Sequence, residues 1–259
     1  MLRQSAAGAA ECEDTDERPT PRSHVTGTSD WADLLSAAAD EQAAQPERIC
    51  ALCVQMLGVS GAGIAMVTPK GHRGVVHATN DVAALIEELQ LTLGEGPCID
   101  AVTGGGPVLV PDLTGSPDLV VDRWPGFLPE ATEAGVHAVF AFPLRIGAIS
   151  IGALDLYRST PGDLTSAELP AALMAADAAA LAVLHRYAGD DASSAWHGHA
   201  ERHQFQIHQA TGMVQVQLGL ATEQAFLMLR ARAFADGRTL SDIAADVVAR
   251  RLRFSAEDD

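Results

Sequence analysis

Apolar residues recur with alternating helical and strand-like spacing between residues 46 and 187. A helical stripe begins at Ile49, and Thr165 and Glu168 have the spacing of a capping box that opens a long Ala-rich helix. Two hairpins, a short helix and a short strand lie between these helices, at residues 63–68, 74–79, 83–90, 108–110, 138–145 and 149–157. This order of elements predicts an α+β domain with one antiparallel sheet, helices on one face of it and a cavity on the other.

Residues 197–254 have helical spacing that is interrupted twice. The first helix presents a broad apolar face, and Gly219 is expected to end it. Thr222 is the predicted N-cap of a second helix that ends at Gly237, and Thr239 is the predicted N-cap of a third. Helices joined by such short loops must pack together, and a bundle of about 55 residues has a small core. We therefore predict an all-α three-helix module that needs a partner or the preceding helix for stability.

The rest of the chain has weaker patterns. An acidic tail without apolar periodicity is expected to be disordered, and a short helix that includes Trp31 follows it. A short polar junction separates the two domains, and a few acidic residues end the sequence. The predicted boundaries, in chain order, are 1–28, 29–45, 46–187, 188–196, 197–254 and 255–259.

Charge is distributed unevenly along the sequence. The 259 residues include 17 Lys and Arg and 34 Asp and Glu, for a formal net charge of −17. Residues 197–254 carry 7 basic and 5 acidic side chains, so only this segment is net positive. Phosphates supply most of the non-specific affinity for nucleic acids, so the distribution argues against indiscriminate binding and for one local basic face. The candidate cations of this face are Arg230, Arg232, Arg238, Arg250, Arg251 and Arg253. The alternative is that they are ordinary solvated charges on helix surfaces.

The helical module resembles the ANTAR domain family in the order and spacing of its motifs. The matching positions are Ala210, Thr211 and Gly212 in the first helix, Ala225, Phe226, Leu229, Arg230 and Ala233 in the second, and Ile243 and Ala244 in the third. The resemblance implies binding of RNA hairpins that favours transcription antitermination. Thr211 stands where the family has Lys, and Gln204 where it commonly has Arg. The candidate RNA-binding residues are Arg230, Arg232, Arg238, Ala210, Thr211 and Gly212.

The preceding domain resembles the GAF family. The motifs that carry this resemblance are GEGPCIDA at 94–101, VPDL at 110–113, AFPL at 141–144 and LDLYR at 154–158. The expected fold is therefore an α+β GAF-like domain, an antiparallel sheet with helices, followed by the all-α three-helix ANTAR-like module. The family uses its cavity to bind a small molecule or a chromophore, or only dimerises. Gly94, Gly96 and Cys98 are the candidate ligand contacts, and simple turn roles are the alternative for the two glycines.

The cysteines and histidines do not predict a metal site. Cys98, if exposed and ionised, would react with oxidants, but a buried inert thiol is favoured. Cys50 and Cys53 have CxxC spacing without a second pair, which favours core packing over zinc. His199 and His203 lie one helical turn apart, and no further ligand at suitable spacing completes their site. No cofactor is predicted, and an unidentified small-molecule ligand in the cavity stays an open alternative.

The function follows from these two domains. The sequence has no nucleophile elbow, P-loop or zinc-protease motif, which argues against an enzyme. It has neither a long uninterrupted apolar run nor a signal sequence, so a cytoplasmic protein without a membrane partner is expected. A stripe of small residues in the last helix of the α+β domain suggests a homodimer, and packing within the domain's own core is the alternative. The leading hypothesis is a signal-responsive regulator that binds RNA hairpins. The alternative, favoured by Thr211 and Gln204, is a sensor or adaptor whose C-terminal helices bind a protein partner.

Overall fold

The computed structural model describes residues 45–68, 71–115, 122–188 and 199–255. The predicted tail over 1–28 and the helix over 29–45 lie outside the described residues, apart from residue 45. The same holds for almost all of the junction and the C-terminal tail. The side chains of Gln204, His199 and His203 lie outside the described part as well.

Five antiparallel strands form a single sheet in the order β2-β1-β5-β4-β3. Both predicted hairpins and the short strand are confirmed, with strand ends that differ by at most three residues. The strands are β1 (Gly61–Thr68), β2 (Gly71–Ala78), β3 (Val108–Val110), β4 (Ala138–Ile146) and β5 (Ile149–Arg158).

Two helices cover the first face of the sheet, α1 (Pro46–Met56) and α5 (Glu168–Ala188). Alternate residues of the central strands, among them Phe140 and Leu154, bury their side chains against these helices. Cys50 and Cys53 lie in this core with no exposed surface, so their CxxC spacing serves packing. The Ala-rich sequence of α5 lets the helix approach the sheet closely, because small side chains reduce the separation between packed elements.

The second face of the sheet is also covered, which corrects the prediction of helices on one side only. It packs against α2 (Asp81–Leu93), α3 (Pro97–Gly104) and α4 (Phe127–Glu133). The sequence pattern missed α3 and α4 because both are short and interrupted by Gly or Pro, and it shortened α2, whose helix extends to Leu93. The cavity that the structure shows under this face is small, with a volume of about 10 Å³.

Helix α5 begins with the predicted capping box. The Thr165 amide donates to the Glu168 carboxylate at 2.7 Å, and the Glu168 amide donates to the Thr165 hydroxyl at 3.2 Å. Among the described residues, α5 is the one helix long and apolar enough to cross a membrane, with a mean hydropathy of 1.3 over Glu168–Arg186. Half of that segment is buried inside the domain, and the core helices of folded domains pass the same test.

The C-terminal module consists of α6 (His199–Leu218), α7 (Thr222–Asp236) and α8 (Leu240–Val248). Thr239 caps α8 as predicted, with its hydroxyl accepting from the Asp242 amide at 3.1 Å. The prediction for Thr222 is wrong by one position. The N-cap is Ala221, whose amide donates to the Gln224 side chain, while the Thr222 hydroxyl bonds to Gln215 instead.

The core of this module is small and apolar. Leu229 of α7 has no exposed surface, whereas Leu227, two residues earlier, exposes 55%. The remaining buried residues of this core include Ile207, Ala210, Val214, Ala225, Ala233, Leu240, Ile243, Ala244 and Val247. Leu91 of α2 belongs to the same cluster, so the module completes its core against the preceding domain.

We predict that Leu229→Ala lowers the free energy of unfolding of the C-terminal module by about 2–5 kcal/mol, because it leaves a cavity in a core too small to absorb it. The matched control Leu227→Ala changes that free energy by at most about 0.5 kcal/mol, because its side chain is already largely solvated. Urea-induced unfolding followed by circular dichroism measures both. Equal losses for the two variants would contradict the assignment of Leu229 to the core.

Candidate functional site

A buried polar cluster lies under the second face of the sheet. Asp155 occupies the centre of β5, paired with Gly63 of β1 on one side and with Ala141 of β4 on the other. Glu87 of α2 and Cys98 of α3 approach it, so that one ligand atom from each of Glu87, Cys98 and Asp155 lies within 4.8 Å of the other two. Glu87 and Cys98 are completely buried and Asp155 exposes 7%.

One side chain links the members of this cluster. The Gln90 amide nitrogen donates to Asp155 Oδ2 at 2.8 Å, and the Gln90 carbonyl oxygen accepts from the Cys98 backbone amide at 2.8 Å. Gln90 is itself fully buried. Both polar ends of its amide are therefore used, and Asp155 and the first turn of α3 are held at fixed positions.

Two glycines provide the space for these side chains. A Cβ atom on Gly63 would lie 2.2 Å from Glu87 Oε1, and a Cβ on Gly96 would lie 2.7 Å from Gln90 Cγ. Gly96 has φ +130°, a value that side-chain-bearing residues rarely adopt. Larger residues at either position would push the polar side chains out of the cluster.

Electrostatics make this cluster unusual. Burial, with the neighbouring Asp155 charge, raises the pKa of Glu87 well above its ordinary value, and burial raises the pKa of Asp155 to about 7. Burial, with the Asp155 charge, likewise raises the pKa of the Cys98 thiol well above its usual range. Glu87 Oε1, Glu87 Oε2 and Asp155 Oδ1 have no hydrogen-bond donor. Two ionised carboxylates only accept hydrogen bonds, so this arrangement requires a proton or a cation between them.

The predicted ligand loop has structural contacts at each of its three candidate residues. Gly94 ends α2 in the left-handed conformation, with φ +65°, and Gly96 precedes the first residue of α3. Cys98 is buried in the first turn of α3, which confirms the buried alternative for its thiol. Glu95, between the two glycines, accepts hydrogen bonds from the backbone amides of Gly126 and Phe127 at 2.7 and 2.9 Å, and so caps α4. Ligand binding by this loop stays a prediction.

A neighbouring side of α2 and its carbonyl end contact the C-terminal module. Arg230 of α7 donates from Nε to the Thr92 carbonyl oxygen at 2.9 Å and from Nη2 to the Leu93 carbonyl oxygen. Its guanidinium lies over Gly94, where a Cβ atom would overlap it. Burial lowers the pKa of Arg230, and the Glu95 charge acts in the opposite direction. The carbonyl groups that end a helix attract cations, so Arg230 binds where the dipole of α2 is most negative.

The first turn of α8 is capped by the other domain. The Ser241 amide donates to Glu88 Oε1 at 3.0 Å, and the Ser241 hydroxyl donates to Glu88 Oε2 at 3.1 Å. The Leu240 amide donates to the Thr92 hydroxyl at 3.2 Å. These amides have no partner within their own helix, and a carboxylate at a helix N-terminus is favoured by the dipole. Helix α2 therefore supplies contacts to both α7 and α8.

The predicted RNA-binding residues are divided between surface and interior. Ala210 is buried in the module core, and Thr211 is buried with its hydroxyl donating to the Ile207 carbonyl oxygen. Gly212 is exposed on the next position of α6. Arg232 forms an ion pair with Asp236 at 2.8 Å, and the side chain of Arg238 is 41% exposed. The structure does not bring all six together, because Ala210 and Thr211 face the core and Arg230 faces the other domain.

The sequence analysis missed Glu87, Gln90 and Asp155. The signal was present locally, because Glu87 and Gln90 fall on the same helical face as Ala83 and Ile86, which is the buried face. Asp155 likewise takes an inward position in an apolar strand. Charged residues on buried faces are rare unless they have a partner. The inward positions of Glu87 and Asp155 therefore indicated that the two carboxylates lie close together.

Comparisons with known proteins identify both domains. A GAF domain model matches residues 47–184, and an ANTAR domain model matches residues 199–248. Among solved structures, the chain is similar to the GAF domain from an Acinetobacter phosphoenolpyruvate-protein phosphotransferase, with 11% identity, TM-score 0.47, and coverage of 64% of this chain and 99% of that chain. The GAF domain of the phosphotransferase from Coxiella burnetii gives 13% identity, TM-score 0.46, and coverage of 61% and 92%.

A third similar structure is a type II free methionine-R-sulfoxide reductase from Thermoplasma acidophilum, with 18% identity, TM-score 0.38, and coverage of 58% of this chain and 95% of that chain. No curated protein matches the chain.

We predict that Glu88→Ala increases the rate of hydrogen–deuterium exchange at the Ser241 amide by about 10- to 100-fold, because a hydrogen bond to a charged acceptor contributes about 1.5–3 kcal/mol. Glu133→Ala, which removes an exposed carboxylate from α4, is the matched control and leaves this rate unchanged. Exchange measured by NMR, or by mass spectrometry on peptides spanning the start of α8, checks the result. Unchanged exchange in Glu88→Ala would show that the capping contact does not form in solution.

Proposed function

Because this chain belongs to the GAF domain family and carries an ANTAR domain after its GAF domain, we propose that it is a cytoplasmic regulator whose ANTAR domain binds RNA hairpins. GAF and ANTAR domains are regulatory rather than catalytic. In this proposal, RNA binding promotes transcription antitermination, and the GAF domain controls it in response to a signal. The ANTAR match over residues 199–248 is the observation that carries the proposal.

The charge of the C-terminal module supports binding to a polyanion. Arg238 and Arg251 converge on Asp246, at 2.9 and 2.6 Å, and their side chains are 41% and 65% exposed. Two cations share one anion, so this surface keeps a net positive charge. The exposed Arg250 and Arg253 flank it in sequence. We call Arg238, Arg250, Arg251 and Arg253 the C-terminal basic patch.

The contact between the domains supports control by the GAF domain. Arg230, which the family resemblance implies as an RNA contact, is bound to the carbonyl end of α2. The contact occupies Nε and Nη2, so this edge of the guanidinium is unavailable to phosphate while the contact exists. We therefore propose that separation of α7 and α8 from α2 releases Arg230 for RNA, and that the docked arrangement is the weaker binder.

The environment of Cys98 supports a protein without catalysis. Cys98, the nucleophilic side chain of the GAF loop, is fully buried and its pKa is raised, so the reactive thiolate is disfavoured.

A homodimer is also proposed. Leu173, Leu181 and Leu184 form an exposed stripe on α5, each with about two fifths of its surface in solvent.

A protein partner for the C-terminal helices is the second candidate function. Val216 of α6 exposes 83%, and Phe234 and Leu227 of α7 expose 70% and 55%. Phe234 and Leu227 line an open groove of about 590 Å³ between the two domains. Exposed aromatic and aliphatic groups next to a groove are typical of protein interaction sites.

We predict that Arg238→Ala and Arg251→Ala each weaken the binding of hairpin RNA several-fold. Each also lowers the slope of log affinity against log salt by about 0.7–0.9, the change expected when one phosphate contact is lost. Fluorescence anisotropy of the full chain, titrated at several salt concentrations with a hairpin from its own genomic neighbourhood, measures both quantities. Arg123→Ala, an exposed Arg of the GAF domain, is the matched control and leaves the slope unchanged.

The same titration tests control by the GAF domain. Glu88→Ala should bind the hairpin more tightly than Glu133→Ala, because both remove one negative charge but only Glu88 contacts α8. Equal affinities would remove the docked arrangement from the mechanism. Saturable binding that prefers the cognate hairpin supports RNA as the partner, and no binding by the wild-type protein would favour the protein-partner function.

We predict that Leu181→Glu converts a dimeric protein into a monomer, because it places a charge in the centre of the α5 leucine stripe. Leu85→Glu, at a leucine of α2 with similar exposure, leaves the molar mass unchanged. Size-exclusion chromatography with light scattering gives the molar mass of each. A wild-type monomer, or a Leu181→Glu dimer, would exclude this stripe as the dimer interface.

A further inference from the structure

We propose that Glu87, Cys98 and Asp155 form a binding site for a divalent transition-metal cation, with Zn²⁺ as the best fit, inside the GAF domain. The site lies between α2, α3 and β5. The proposal does not depend on RNA binding. The three side chains come from distant parts of the sequence, and the fold brings their ligand atoms within 4.8 Å of one another.

Unsatisfied carboxylate oxygens are the first argument for a cation. Both oxygens of Glu87 and one oxygen of Asp155 are buried with no hydrogen-bond donor from outside the cluster, and none of the described ion pairs involves either residue. Buried charges are found paired or bound to metals, because an isolated carboxylate in a low-dielectric interior is strongly unfavourable. A shared proton would join the two carboxyl groups by a single hydrogen bond, whereas one cation would bind both of them and the Cys98 sulfur.

The surroundings of the three side chains are the second argument. Gln90 fixes the orientation of Asp155 and the position of the Cys98 backbone, which is the role of residues that support metal ligands. Gly63 and Gly96 make room for Glu87 and Gln90. Two close glycine contacts and a buried amide bonded at both its nitrogen and its oxygen hold these polar side chains in one arrangement.

The chemistry of the donors selects the class of cation. One sulfur and two carboxylate groups suit a borderline cation such as Zn²⁺, while Mg²⁺ and Ca²⁺ prefer oxygen alone. Tetrahedral zinc with Zn–S near 2.3 Å and Zn–O near 2.1 Å has S–O separations of about 3.6 Å, so binding draws the side chains together by about 1 Å at most. Protons displaced from the Cys98 thiol and from the carboxyl groups pass to the buffer.

A small cavity lies beside Glu87 and Asp155, with room for at most one water molecule. It has a volume of about 10 Å³ and is lined by Gly63, Glu87 and Asp155 among other residues. A volume of about 10–15 Å³ is what one water molecule needs. Three protein ligands and one water would complete a four-coordinate site.

Cobalt substitution tests the proposal on the full chain. The protein is first dialysed against a chelator and then titrated with Co²⁺, which gives a thiolate-to-cobalt charge-transfer band in the near ultraviolet when sulfur is a ligand. We expect a single equivalent of Co²⁺ to produce this band and Zn²⁺ to abolish it by displacement. Cys98→Ala should lose the band. Cys53→Ala, at a cysteine equally buried on the other face of the sheet, should keep it.

Glu87→Gln is the second variant, because it removes a buried charge and keeps the shape of the side chain. It should fold, as judged by circular dichroism, and bind Zn²⁺ at least about tenfold more weakly than the wild type, the minimum loss seen even for residues behind the ligands. Binding without a charge-transfer band would assign the cation to other groups and overturn the proposal. So would a band that persists in Cys98→Ala, or a wild-type protein that binds no more cation than Cys98→Ala.

Discussion

Helix α2 is packed on two neighbouring sides, and both domains depend on that double contact. One side carries Glu87 and Gln90 into the interior of the GAF domain. The other carries Glu88 and Leu91 to the ANTAR module, where Glu88 caps α8 and Leu91 joins the module core. The carbonyl end of the helix then binds Arg230. A small module with a marginal core gains apolar burial and helix capping from this single neighbouring helix.

The position of α2 gives a physical route for control. A signal alters an equilibrium only by the difference in its interaction free energy with two states. Glu87 and Glu88 are adjacent residues on a rigid helix, so a change in the position of one alters the geometry of the other. A cation or a proton bound at the buried cluster acts on Glu87, and the contact with Ser241 acts through Glu88. The described contacts between the domains involve α2 and β2.

The sequence predicted the elements whose signals are local. The hairpins of the GAF domain follow from alternating apolar residues, and the capping residues Thr165, Glu168 and Thr239 were identified from spacing alone. Helices α3 and α4 were missed because they are too short to show a periodic pattern. The pairing of Gly63 with Asp155, on which the buried cluster depends, joins positions about 90 residues apart in the chain and requires the strand register. The carbonyl groups that bind Arg230 are similarly remote in sequence, so the sequence predicted its side chain to be a surface cation.

In the proposed function, the RNA and the GAF domain compete electrostatically for the same module. Residues 46–196 carry a net charge of −10, and residues 197–254 carry +2, so docking on the GAF domain is itself an association of opposite charges. Salt screens such contacts over a Debye length of about 8 Å at physiological ionic strength, and it screens RNA binding as well. Added salt therefore weakens RNA binding directly, but it also loosens the docked arrangement that withholds Arg230. The salt dependence of RNA binding by the full chain should consequently be shallower than the number of phosphate contacts implies. Glu88→Ala, which weakens docking at every salt concentration, should restore the steeper dependence.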